Sequence, residues 1–392
     1  MNNKKIVDRL KTISLFGVSQ LLSAFSVLIL SYIIIQYHSL ELWGEYVEIL
    51  IWVNVFLLFL SFGNNDYLLK SFSKNPSTIN QKWVNNIFSR SILLVPSLLL
   101  ILFIPIFDHL EAYIFAFILF QFLNQSFKVL IVYHRKYTLN IWIESSFLIV
   151  LIALIFYNID FLDLKLIIKT LIIAQGFKCL LFSILLLKGF RKTKPQFQIN
   201  ELKRSVPFFI PIAVGTFRSK IDIYYGTHFF SFSNLSRYQV FLSFLALAQM
   251  ASTFAITPYL KNYYRSSHSA IKKVQKRFFA FGWGFAIVAT VIMYVAISKI
   301  YHLEFTLLQY GFAFMFMIPL FLHILLVNEY YKKDKQNKIA FFASFVIFIQ
   351  VIGGYFLIKH WDITGALLLK VLGQWSIVII LWLWIRKKEN NG

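Results

Sequence analysis

The sequence predicts an all-α, polytopic membrane protein, and three observations carry that expectation. Of its 392 residues 58% are hydrophobic and only 14% charged, with a mean hydropathy of +0.67; a soluble domain keeps about a quarter of its residues charged. Apolar runs of about 20 residues, the length that crosses a 30 Å hydrocarbon core, recur along the whole chain. The Lys and Arg residues collect in the short segments between alternate runs. The runs are too long and too uniformly apolar for barrel strands, whose residues alternate.

In chain order, twelve segments fit a membrane-spanning helix: 14–37, 44–62, 84–106, 110–133, 140–157, 164–188, 205–226, 238–260, 278–299, 305–329, 338–358 and 362–385. The first follows Lys4, Lys5, Arg9 and Lys11, but it is too long for a signal-peptide core and has no small-residue cleavage pattern, so it reads as a retained span. With the N-terminus in the cytoplasm, the inside segments and their flanks hold 29 of the 39 Lys and Arg. The outside loops hold four, Lys165, Arg237, Lys299 and Lys359. This asymmetry sets orientation and places both termini in the cytoplasm. It also accounts for the net charge of +22 as a topology signal on an anionic leaflet rather than a nucleic-acid surface, since no inside segment is long enough to fold as a basic domain.

The outside loops, the longest spanning 227–237, leave no room for an external catalytic domain. The single Cys179 excludes a disulfide framework and a thiolate metal site. The scattered histidines have no zinc spacing, and neither a phosphate-binding Gly loop nor a Ser-His-Asp set can be assembled. The expectation is no catalytic residue, no metal and no cofactor. The partners expected from this pattern are membrane lipids.

Two hairpins open in the same way. Tyr46 lies 32 residues after Ser14, and Tyr238 lies 33 after Ser205. Six spans separate the two starts, so the halves run parallel, as in repeats related by an axis along the membrane normal. The expected division is a six-helix lobe over 1–190, a cytoplasmic linker over 191–204 and a second six-helix lobe over 205–392, around a central cavity.

Charged side chains inside spans are costly, about 2.5–3.5 kcal/mol each on insertion scales, and usually face a cavity. "TFRSKIDIYYG" (216–226) holds Arg218, Lys220 and Asp222. Arg218 and Asp222 share a helix face at i,i+4, which predicts that they pair; Lys220 points elsewhere and leaves a positive surplus. Gln121, Asn124, Gln125 and Lys128 form one polar stripe, Gln249, Thr253 and Thr257 another, and Lys370 and Gln374 share a face. Lys178 also lies within a span. These are the candidate substrate-binding residues: Arg218, Lys220, Asp222, Lys370, Gln374, Lys178, Lys128, Gln125 and Gln121. For Lys128, snorkelling to the inner surface is the competing explanation. Glu48 and Glu144 are the other intramembrane acids, candidates for a coupling proton or sodium ion or for pairing with the lysines.

Several stretches carry a family resemblance. "WGEYVEILIWVNVFLLFLSFGNNDYLLK" resembles the first hairpin of the polysaccharide flippases of the MOP superfamily, the Wzx-type O-antigen translocases, at Gly44, Tyr46, Phe62, Gly63 and Lys70. "LKRSVPFFIPIAVGTFRSKIDIYYG" resembles the opening of their second half at Ser205, Pro207, Phe208 and Asp222, with Tyr238 at the next corner; "ITPYLKNYYR" resembles the end of their eighth span. Lys70 stands where Arg is commoner, and Ser236 where Gly is usual. The resemblance implies a flippase of the bacterial inner membrane, moving an undecaprenyl-pyrophosphate-linked oligosaccharide from the cytoplasmic to the periplasmic leaflet by alternating access. A surplus of cations suits such an anionic cargo. The rivals are a multidrug and toxin extruder of the same superfamily, which would want acids in its cavity, and an O-antigen polymerase or ligase, which would want a long outer loop.

Overall fold

Proline, glycine and short polar caps punctuate a chain that otherwise has every reason to be helical: in a bilayer, backbone groups must be satisfied within the segment. The computed structural model describes residues 3–107, 109–187, 193–256, 263, 266–333 and 335–390, and among them no strand occurs. Nine of the helical stretches are long and apolar enough to cross a membrane.

The chain packs as two units, described separately: Ser14–Ser26 with Tyr37–Ala213, and Met1–Ile13 with Val27–Gln36 and Val214–Gly392. Helix α1 (Asn3–Tyr37) opens the chain. In the first unit α2 (Leu40–Ser61) starts on Ser39, whose side chain accepts from the Leu42 amide at 3.1 Å. It ends at Phe62 and Gly63, both with positive φ (44° and 70°). The second of these must be glycine for another reason as well: a Cβ there would run into the backbone of Phe208 and Phe209. The chain continues in the amphipathic α3 (Asn64–Lys74), then α4 (Ile79–Ser91) and α5 (Leu94–Leu102).

The expected span 84–106 is therefore broken after Ser91. Pro96 has no N–H to give the Ile92 carbonyl, and its ring crowds that oxygen; the Leu93 and Val95 amides instead reach back three residues, to Arg90 and Ile92. Helices α6 (Glu111–His134), α7 (Tyr137–Tyr157) and α8 (Leu164–Leu186) follow as unbroken spans. Asp163 caps α8 through the Leu166 amide at 2.7 Å. The unit's core joins Tyr67, Phe72, Trp83, Phe127 and Phe182. The two stretches that resemble the flippases meet in it: Phe62 stacks on Phe209 with centroids 4.8 Å apart, and Lys70 lies 5.5 Å over the Phe208 ring.

Helix α9 (Ile199–Phe229) carries Pro207 and Pro211 and is followed by α10 (Phe232–Ile256); neither is among the nine apolar stretches. The second unit continues through α11 (His268–Val295), which ends in a π-turn, α12 (Leu307–Met317) and α13 (Leu320–Lys332). The break between α12 and α13 is Pro319, which deprives the Met315 carbonyl of its donor. Trp375 supplies one, its indole N–H lying 2.9 Å from that oxygen. The last helix, α14 (Gln336–Asn390), is a pair of helices meeting at Asp362, where φ is 48° and ψ −131°. That is the first central conformation of a type II′ turn, ordinarily a glycine position, and strain of this kind costs about 1–3 kcal/mol. Gly365 lets the second arm pass close over the Leu357 carbonyl. Thr257 and most of "ITPYLKNYYR" lie outside the described residues.

Candidate functional site

In the second unit the intramembrane charges gather around Asp222, in the C-terminal half of α9. Asp222 is 1% exposed. It accepts from the Lys370 ammonium at 2.9 Å and from the Tyr238 hydroxyl. Lys370, reaching over from α14, also donates to the Ser219 carbonyl at 3.0 Å. Arg218 and Asp222 do not form the pair that their spacing predicts. The aspartate is spent on Lys370 and Tyr238, because an α14 lysine with a long stem reaches it across the helix gap while Arg218 is turned toward the α14 backbone instead. Arg218 donates only to the Gly373 carbonyl, at 3.4 Å, a weak bond by length. Lys220 has no hydrogen bond or ion pair among the described residues.

Two amides complete this cluster. Gln374 is buried and its Nε2 has no partner; Gln350, also buried, has its Oε1 unsatisfied and lies against Gly373. Buried polar groups without partners are expensive. Three cations, one acid and two part-satisfied amides leave a net positive, donor-rich site. Nearby, Gln249 and Thr253 line a cavity of about 150 Å³ with Ser252 and His323.

In the first unit two of the polar candidates, Lys178 and Asn124, have partners. Lys178 and Glu144 form a buried ion pair at 2.7 Å between α8 and α7. The Lys178 ammonium also lies 5.0 Å over the Phe147 ring. Of the α6 stripe, Asn124 is consumed by Gln175, donating to its backbone and side-chain oxygens at 3.0 and 2.8 Å. Gln121 and Gln125 are half-buried. Lys128 is half-buried too, and lines a cleft of about 20 Å³ with Glu144, Asn140, Gln20 and Ser23. Glu48 is half-buried on α2. Among the described residues no group of three metal-ligating side chains occurs.

Arg90, which the sequence did not single out, is 2% exposed and has no carboxylate partner among the described residues. Its guanidinium donates to Asn86 Oδ1, the Leu60 carbonyl and Ser126 Oγ at 2.9, 3.0 and 2.8 Å, and lies 4.9 Å over the Phe122 ring. The Leu60 carbonyl is freed because α2 ends in left-handed residues, and a cation there also complements the helix dipole. Arg90 is thus a fixed C-terminal cap for α2. Nothing in the sequence linked it to a carbonyl thirty residues earlier.

No family profile matches the chain, and no curated protein matches it by sequence. Solved structures do. The lipid II flippase MurJ in its inward closed conformation superposes with a TM-score of 0.71 at 16% identity, covering 95% of this chain and 87% of that one. The eukaryotic MATE transporter AtDTX14 gives 0.66 at 11% identity over 97% and 96%. An inward-facing multidrug resistance MATE transporter of the MOP superfamily gives 0.64 at 11% identity over 97% and 97%. The fold is that of the MOP transporters. At these identities the likeness concerns the fold alone, so the chain is a multi-pass membrane protein whose structural neighbours are transporters, not enzymes.

Proposed function

We propose that the protein is a flippase for a lipid-linked oligosaccharide, one whose pyrophosphate is drawn to Arg218 and Lys220. In this reading it has twelve crossings in two six-helix lobes, 1–190 and 205–392, joined by 191–204. It lies in the bacterial inner membrane with both termini cytoplasmic, and exchanges its glycan between leaflets by alternating access. The observation that carries the reading is the uncompensated charge on α9. Asp222 neutralises Lys370, so Arg218 and Lys220 keep their positive charge in a segment where an unpaired charge is costly. A pyrophosphate would supply the missing acceptors, and Gln374 with its free N–H group a further donor. Guanidinium and ammonium groups are suited to phosphate oxygens, the first by its fork and the second as a point charge.

The similarity to multidrug transporters supports a second reading, extrusion of organic cations. The cluster's charge opposes it, since a cationic cargo would meet three cations against one carboxylate. Of Glu48 and Glu144, the candidates for a coupling ion, Glu144 is held by Lys178; we propose that a proton or sodium ion would act there by displacing the lysine. The deciding test is cellular. Lys220→Ala should lower surface polysaccharide about tenfold, the cost of one charge-assisted contact of roughly 1.4 kcal/mol, with protein level unchanged. An unchanged polysaccharide level together with lost resistance to organic cations would replace this reading with the extruder.

A further inference from the structure

Three loops that the distribution of basic residues assigns to the outside, 227–237, 300–304 and 359–361, converge in the second unit on one open pocket of about 500 Å³. Its volume lies in the range of small-molecule sites. Its walls combine flat apolar faces with a polar rim. Trp361 is 57% exposed, and the Phe305 ring is stacked under the Arg237 guanidinium at 5.3 Å. Around them stand Asn234, Glu304 and Asp362.

The site is built rather than accidental. Arg237 donates to the Glu304 carbonyl, joining the first loop to the second. Asn234 donates to Asp362 Oδ2 at 2.6 Å, joining the first to the third. Gln309 ties α12 to the second arm of α14 through Thr364 Oγ1 at 3.0 Å, and to Thr306 through a reciprocal cap. The residue at the centre of this bracing, Asp362, is the one held at φ 48°. A side chain kept in a glycine conformation points to a use for its carboxylate.

The chemistry selects the ligand. Two carboxylates stand against one guanidinium that is already occupied, which disfavours a phosphate. The same guanidinium disfavours a metal cation, and among the described residues no group of three metal-ligating side chains occurs. A pyranose ring fits both features: its C–H face lies on an aromatic ring, and its hydroxyls bond to planar carboxylate and amide groups. We propose that this pocket is a carbohydrate subsite, binding a neutral pyranose with Trp361 as platform and Asp362 and Asn234 as hydroxyl partners. That the sugar belongs to a lipid-linked cargo rests on the flippase reading; on that reading the pocket receives the glycan at the outer surface.

Saturation-transfer NMR on the full chain in a non-glycosidic detergent tests the site, with the methyl β-pyranosides of glucose, galactose and N-acetylglucosamine as probes and mannitol as an acyclic control. Ring protons of at least one pyranoside should receive saturation well above mannitol. Trp361→Ala and Asp362→Asn should each cut it about fivefold, the equivalent of one lost contact, while Lys220→Ala leaves it unchanged. Both residues are exposed, so the variants should fold; Asp362→Gly, which suits the backbone at that position, is the second variant should Asp362→Asn not do so. Equal transfer to mannitol and to all three sugars, or full transfer in Trp361→Ala, overturns the proposal. The probes carry neither lipid nor phosphate. A failure here therefore leaves the pyrophosphate test standing, and sugar binding without pyrophosphate binding would remove the flippase reading while keeping the pocket.

Discussion

Asp222 determines how much charge the second unit leaves over. Because it holds Lys370 rather than Arg218, the two possible double variants separate. Asp222→Ala leaves a largely buried ammonium without its counter-ion, a loss of about 3–5 kcal/mol for a broken buried pair. Adding Lys370→Met should recover most of that loss, whereas adding Arg218→Ala should recover none. Thermal unfolding in detergent of the three variants checks this, and recovery by Arg218→Ala would restore the pairing that helix spacing alone suggested. Arg90 gives a second expectation at this scale. Lysine has one compact donor head in place of the fork that reaches Asn86, Leu60 and Ser126, so Arg90→Lys should lower the melting temperature while the affinity of the folded fraction for a pyrophosphate lipid stays the same.

Among the elements, the hairpin of α12 and α13 shows how a proline break is tolerated in lipid. The Met315 carbonyl loses its helical donor at Pro319 and takes the Trp375 indole instead. Trp375→Phe should therefore cost about 1–3 kcal/mol, the penalty of a carbonyl left without a donor where lipid offers none. In a Pro319→Ala background the alanine amide can serve Met315, and the same Trp375→Phe change should cost much less. Equal cost in both backgrounds, measured by unfolding midpoints, would mean that Trp375 contributes packing only. These elements also mark what the sequence could and could not reveal. The apolar runs were legible because hydrophobic length is a local property: 110–133, 140–157 and 164–188 lie within three residues of α6, α7 and α8 at either end. The break at Ser91 was less so, since the run 84–106 stays apolar across it and only Pro96 signals it. The partners of Asp222 and Arg90 were not legible. Lys370 lies 148 residues from Asp222, and helical periodicity ranks only neighbours on the same helix.

For the whole molecule, the likeness to MOP transporters extends over nearly the full chain, and the partition of Lys and Arg supplies an orientation that a fold cannot. A reporter active only in the periplasm, fused after Gly392, should give no signal; activity there would overturn an even number of crossings with a cytoplasmic N-terminus. In the flippase reading the molecule's unpaired intramembrane cations hold a pyrophosphate. The most direct measurement of this is a calorimetric titration of the purified full chain with farnesyl pyrophosphate, with farnesol and a lipophilic organic cation as comparisons. Binding should be saturable for the pyrophosphate alone and weakened about tenfold by Lys220→Ala and again by Arg218→Ala, each step worth roughly 1.4 kcal/mol. Binding of the cation in its place, or a pyrophosphate affinity that neither substitution changes, would contradict that reading.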